Sequence, residues 1–303
     1  MSTTINSLKS ENPKMRKAAP LLVAAASVLW GILFVFVRRL SAAGLGAMDI
    51  VAVRAYGSVL FLFPGLLAAD RKLLRVRGRD CWCFVGTGVF SIVFFSYCYF
   101  RNVEISSAAF ASILMYTSPV WVTLLSVLFF RERIGGRKAA ALVMALLGCV
   151  LVSGVTGGVE TVSVTGIALG LGSGIGYGLY SIFGRFALDR GYHPMTVTAY
   201  TFLFACAGVL PFIRPGELAG RFAAEPMLLV PALSMALFTT ALSFSLYTLG
   251  LRYMEPGRAA VLATLEPSVT TLVGTLWYGE PMSAAMFGGI VLVLAASVLI
   301  ARS

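Results

Sequence analysis

Charge is what this 303-residue sequence has least of. Only 12% of its positions are Asp, Glu, Lys or Arg, while 58% are hydrophobic, against the quarter or so of charged residues usual in water-soluble domains. A chain of this size with so little polar surface cannot clothe a globule in water, so its solvent is lipid. Histidine is nearly missing too. The one present, His193, stands in a loop, which leaves no cluster for a metal and no His-based acid–base pair. Five cysteines, Cys81, Cys83, Cys98, Cys149 and Cys206, all fall in or at the start of apolar runs, and the pair Cys81-Trp-Cys83 has no companion ligands. Neither a metal site nor a disulfide framework is expected. The glycine-rich stretch from Gly166 to Gly184 lacks the lysine and the soluble strand-to-helix setting of a phosphate loop. We therefore expect no cofactor and no catalytic residue.

What is abundant is uninterrupted apolar sequence. Runs with little or no charge cover Ala19–Val37, Ile50–Ala69, Cys81–Phe100, Ile105–Phe130, Ala139–Val159, Thr161–Gly184, Pro194–Ile213, Pro226–Leu251, Ala259–Gly279 and Pro281–Ala301. Each is near or above the roughly 20 residues that cross a 30 Å hydrocarbon core as a helix. Backbone groups left unpaired in lipid cost several kcal/mol each, and the runs lack the alternation of barrel strands, so ten transmembrane helices are expected. The first run is too long for a signal peptide and has no convincing cleavage site, which makes it an uncleaved span. No extramembrane domain fits in the short links.

Basic residues set the orientation. The N-terminal tail, the links after spans two, four, six and eight, and the C-terminus hold 18 of the 24 Lys and Arg; the other side holds Arg38, Arg39, Arg101, Arg214 and Arg221. This bias predicts that both termini are cytoplasmic, in a multi-pass protein of the bacterial inner membrane. It also accounts for the net charge of +11 as a topology signal and an attraction to lipid headgroups, so no nucleic-acid partner is expected.

The chain also repeats itself. Residues 113–132, ILMYTSPVWVTLLSVLFFRE, return 148 positions later as VLATLEPSVTTLVGTLWYGE, which lays Leu114 on Leu262, Pro119 on Pro267 and Glu132 on Glu280. Tyr99 falls on Tyr247 at the same offset; at 147, Trp30-Gly31 falls on Tyr177-Gly178 and Arg38 on Arg185. Internal repetition decides architecture. A cytoplasmic tail (1–18) is followed by two five-helix halves (19–159 and 160–303). Five is odd, so the second half enters the membrane from the opposite side. Two inverted halves around a central cavity are the geometry of alternating access.

The ten spans, the two halves, the Leu-x-x-x-x-Pro motifs at 114–119 and 262–267, and the glutamates that follow them together resemble the EamA family of the drug/metabolite transporter superfamily. The resemblance covers residues 20–301. It implies a bundle of ten helices around a cavity, with substrates among amino acids, purines, sugars and other small metabolites, commonly exported. One departure is that Arg54 in span two has Thr201 as its counterpart. The reading is an all-α secondary transporter, most directly an amino acid exporter for which aromatic substrates fit. Another small solute is the alternative, and an intramembrane enzyme or a non-transporting receptor are the competing classes. A small-molecule substrate and the bilayer are the expected partners, and a monomer suffices for a central cavity.

Two ionisable residues fall inside the expected spans, Arg54 and Glu266. A charge at the bilayer centre costs at least ~2.5 kcal/mol, so it faces a cavity or a partner; Arg54, only five residues in from the outer end of its run, can also snorkel outward. Glu266 is read as a proton carrier, as the partner of a substrate amine, or as one half of a structural pair with Arg54. Trp30, Tyr99, Tyr116, Tyr177, Tyr180 and Tyr247 sit within spans rather than at their ends and carry polar atoms that need partners, so they are read as cavity-lining substrate contacts. Pro119 and Pro267 each remove a helix hydrogen bond and are candidate hinges. The four-residue spacing of Gly166, Gly170, Gly174 and Gly178 first of all permits close helix packing.

Overall fold

The computed structural model describes residues 13–154 and 163–302. Every regular element in them is helical. In chain order the long helices are α1 (Pro13–Ala42), α2 (Ala47–Ala69), α3 (Gly78–Ile105), α4 (Ala108–Phe130), α5 (Gly136–Val152), α6 (Val164–Asp189), α7 (Pro194–Phe212), α8 (Pro226–Tyr253), α9 (Pro256–Tyr278) and α10 (Ala284–Ala301). Among the described residues nine of these are long and apolar enough to cross a membrane. The other, α5, has 17 residues, about 26 Å at the α-helical rise. The continuation expected for it to Val159, the junction of the two halves, and most of the N-terminal tail lie outside the described residues.

Local chemistry sets the ends. Ser107, Ser163 and Ser283 each accept a backbone N–H of the following turn, which satisfies a donor that the helix start leaves orphaned. The cap at Ser107 splits the single run expected over Ile105–Phe130, and Ile105 closes α3 instead. Pro194 and Pro256 open α7 and α9, where a missing N–H costs nothing.

The packing follows the repeat. Helix α1 packs on α8 and α9, while its counterpart α6 packs on α3 and α4; α2 meets α7, α4 meets α9 and α5 meets α10. Each half thus lends its first helix to the other, so the two halves share one core. Small residues make the closest approaches, as helix association in lipid requires. A Cβ on Gly31 of α1 would lie 2.5 Å from Val269 Cβ and 3.0 Å from the Glu266 carbonyl oxygen; on Gly178 of α6 it would lie 2.9 Å from Val122 Cγ2 and 3.4 Å from the Ser118 carbonyl oxygen. These are corresponding positions in the two halves.

Two irregularities are also duplicated. Gly86–Val93 in α3 and Met235–Leu242 in α8 are wound as π-helix. Helix α4 breaks between Met115 and Ser118, and α9 breaks at Thr264. Pro119 and Pro267 therefore sit in the first turn after a break rather than inside a continuous helix. Thr117 and Thr264 each turn their hydroxyl back onto the carbonyl three residues earlier at 2.6 Å, which satisfies an acceptor that the break exposes.

Candidate functional site

The break in α9 brings Glu266 to the middle of the bundle. It stands midway along α9 and is only partly covered. Its Oε2 accepts a hydrogen bond from the hydroxyl of Tyr177, midway along α6, at 2.8 Å. Oε1 carries no hydrogen bond among the described residues and is not sealed. A carboxylate at such depth with half of its acceptor capacity unused faces space rather than packing.

Arg54 of α2 is held by its Nε, which donates to Thr240 Oγ1 at 3.2 Å. Thr240 lies in the π segment of α8. Arg54 and Glu266 lie within reach of each other's charge, yet no ion pair joins them among the described residues at N–O distances up to 4.0 Å. The direct structural pair weighed as one reading of Glu266 is therefore absent as a contact.

The aromatic candidates divide. Trp30 packs edge-on against Tyr177 at 6.4 Å between ring centroids and tilts against Tyr247 at 5.2 Å. It is 6% exposed, and its indole Nε1 has no partner among the described residues. Tyr99 reaches the same cluster through Phe95, which stands 5.3 Å from Tyr177 and 6.4 Å from Tyr99. Its hydroxyl bonds Ser112 Oγ at 3.1 Å. Tyr116 lies at the break of α4, half-buried and within reach of the Glu266 charge. Tyr180 and Tyr247 are buried, and their hydroxyls are spent between α6 and α8, on Thr248 and Ser181 respectively at 2.7 Å each. These two are sealed, whereas Tyr177, Tyr99 and Tyr116 are only partly covered.

One charged cluster has no counterpart in the sequence reading. At the end of the bundle where Pro13, Arg258 and Ala301 border a common cavity of about 460 Å³, Lys138 of α5 pairs with Glu132 at 2.5 Å and with Glu255 at 3.2 Å. The Lys138 and Glu132 side chains are only 6% and 5% exposed. Burial pushes the Glu132 carboxyl above its ordinary range, with Lys138 pulling the other way. A lysine next to a charged link reads from sequence as a solvated residue, and only the packing of α9 over it removes it from water.

With this arrangement in view, the comparisons place the chain. The model of the EamA-like transporter family matches twice, over residues 17–154 and 164–302, and the chain belongs to that family. It is a multi-pass membrane protein of a transporter family. An uncharacterized transporter of Archaeoglobus fulgidus is 30% identical over 279 residues, 92% of this chain and 94% of that one. The uncharacterized transporter YxxF of Bacillus subtilis is 26% identical across 96% of this chain and 91% of its own. The uncharacterized inner membrane transporter YicL of Salmonella typhimurium is 24% identical across 92% and 93%. A protein of known crystal structure shares the fold at a TM-score of 0.74 and 17% identity, over 93% of this chain and 96% of that one.

Proposed function

We propose that the protein is a secondary transporter that moves small metabolites across the inner membrane by alternating access, and that it exports amino acids, with aromatic side chains favoured. The carrying observation is Glu266: one half-used carboxylate midway through the bundle, held by Tyr177 beside a wall of rings that includes Trp30 and Phe95. A carboxylate suits a substrate ammonium group, and the rings suit a planar apolar side chain. The duplicated architecture supports alternating access. The bias of basic residues supports cytoplasmic termini. A single chain holds all of these groups, so a monomer suffices.

Purified protein in sealed proteoliposomes, loaded with unlabelled phenylalanine and given the radiolabelled amino acid outside, tests the reading. Counterflow well above protein-free vesicles is expected. Glu266→Gln should lower the rate at least about 10-fold, the order of one lost charge-assisted hydrogen bond, with its melting temperature kept. If the wild type moves no phenylalanine, the amino acid reading falls. If Glu266→Gln transports at full rate across the pH range, Glu266 leaves the site.

A further inference from the structure

Arg54 is costly where it stands. A guanidinium carries five N–H donors and never gives up its charge in a protein, and here a single hydrogen bond, from Nε to Thr240, joins it to the described residues. That bond fixes the stem and leaves the forked terminal edge of Nη1 and Nη2 without an acceptor among the described residues. Those nitrogens are also not sealed into packing. The opposite charge within reach, Glu266, is turned onto Tyr177 instead of onto the arginine. Arg54 thus has surplus donors and Glu266 a surplus acceptor, neither sealed into packing.

We infer that Arg54 reads the carboxylate of the substrate while Glu266 holds its ammonium group, so that the pair is a clamp for a zwitterion and Arg54 determines selectivity against simple amines. The inference rests on the amino acid reading above and adds to it the residue that selects the acid end. Each charge is then neutralised by the ligand and not by the other. This explains why two opposite charges at mid-bundle stay apart, since a direct pair would have to be broken before a substrate could bind. The fork geometry matters: an arginine grips a carboxylate through two parallel bonds, which a lysine cannot reproduce.

The probes are phenylalanine, its methyl ester, which lacks the carboxylate, and 3-phenylpropionate, which lacks the amine. Each unlabelled compound competes with radiolabelled phenylalanine on wild-type protein, and the direct binding of each to wild type and variants is read by calorimetry. On wild type, both truncated compounds should bind at least about 10-fold more weakly than phenylalanine, as expected when a charged group loses its partner. Arg54→Gln should weaken phenylalanine and 3-phenylpropionate and leave the methyl ester unchanged; Glu266→Gln should weaken phenylalanine and the ester and leave 3-phenylpropionate unchanged. Arg54→Lys should recover part of the acid selectivity. Equal weakening of all three by Arg54→Gln would reduce Arg54 to a structural role, and no weakening of any would remove it. If Arg54→Gln does not fold, the wild-type ranking decides, because an ester that binds as well as phenylalanine overturns the clamp. If wild type binds none of the three, the amino acid reading itself has failed and the clamp falls with it. Binding of phenylalanine without the crossed pattern overturns the clamp alone.

Discussion

Ala108–Met115 in α4 and Pro256–Ala263 in α9 are corresponding segments, each the eight residues before a break, yet they are packed very differently. In the second, every residue except Arg258 is buried; in the first, only Ala111 and Met115 are. The charged residues beyond them differ in the same sense. At the end opposite the termini, Arg38 pairs with Glu280 at 3.0 Å with both side chains 49% exposed, and its guanidinium covers Tyr278. At the end with the termini, the counterparts Arg185 and Glu132 do not meet. Arg185 bonds Asp189 and the carbonyls of Leu251 and Met254, and Glu132 is buried against Lys138. Two halves built from one pattern are thus packed unlike, tightly at the segment and ion pair of the end with the termini, the shut end below, and loosely at the other. The positions that correspond to Lys138 and Glu255 are Met286 and Ser107, so the shut end has a charged fastening that the loose end cannot form.

The largest expected effect breaks that fastening. Lys138→Met leaves Glu132 buried without its partner and should cost about 3–5 kcal/mol, and Lys138→Met with Glu132→Leu should recover most of it. Arg38→Ala at the open end should cost at most about 1 kcal/mol. Thermal unfolding in detergent measures all three. Equal losses at the two ends would erase the contrast.

A second test reads the two segments directly. In a cysteine-free background, Ser112→Cys and its counterpart Ala260→Cys should react with a water-soluble maleimide at rates that differ by about an order of magnitude, with Ser112→Cys the faster, since Ala260 is only 5% exposed and labels only when its segment opens. Lys138→Met should narrow the gap. Faster labelling at Ala260→Cys would reverse the assignment of the shut end.

The smallest effect concerns how the two helices stop. Both α4 and α9 end in a left-handed residue, Arg131 at φ 56° and Gly279 at φ 68°, and Arg131 is the only non-glycine residue with positive φ among those described. Glycine takes that conformation without steric cost, so Arg131→Gly should stabilise by about 1 kcal/mol and Gly279→Ala should destabilise by a similar amount. The same melts check both. A destabilised Arg131→Gly would mean that its side chain makes contacts that outweigh the strain.

Much of this was legible in the sequence because hydropathy and repetition are one-dimensional signals. The apolar runs mark the helices, and the copy of 113–132 at 261–280 marks the two halves. The prolines mark the breaks to within three residues, though Thr117 and Thr264 are the residues that sit in them. Trp30 and Tyr177 correspond in the repeat and do meet. Tyr99 and Tyr247 also correspond, but the first is half-buried with its hydroxyl on Ser112 and the second is sealed on Ser181; the two ends are packed differently, and a repeat carries no information about which end is shut. The burial of Lys138 was hidden for the same reason, since it depends on where α9 lies. The π segments were hidden because Gly86–Val93 and Met235–Leu242 have no residue signature of their own.

The breaks at Tyr116–Thr117 and Thr264 have a mechanical consequence. Each leaves a stiff arm of eight residues, roughly 12 Å long at the helical rise, with Glu266 and its neighbours close to the pivot of α9. A rotation of about 20°, modest for a hinge, would swing the far tip of such an arm by about 4 Å while moving a residue beside the pivot by well under 1 Å. The arm and its pivot would then act as a lever of unequal displacement. The groups proposed to hold a small molecule would stay in register with it while the tips, and the charges fastened near one of them, would travel the width of a carbon atom.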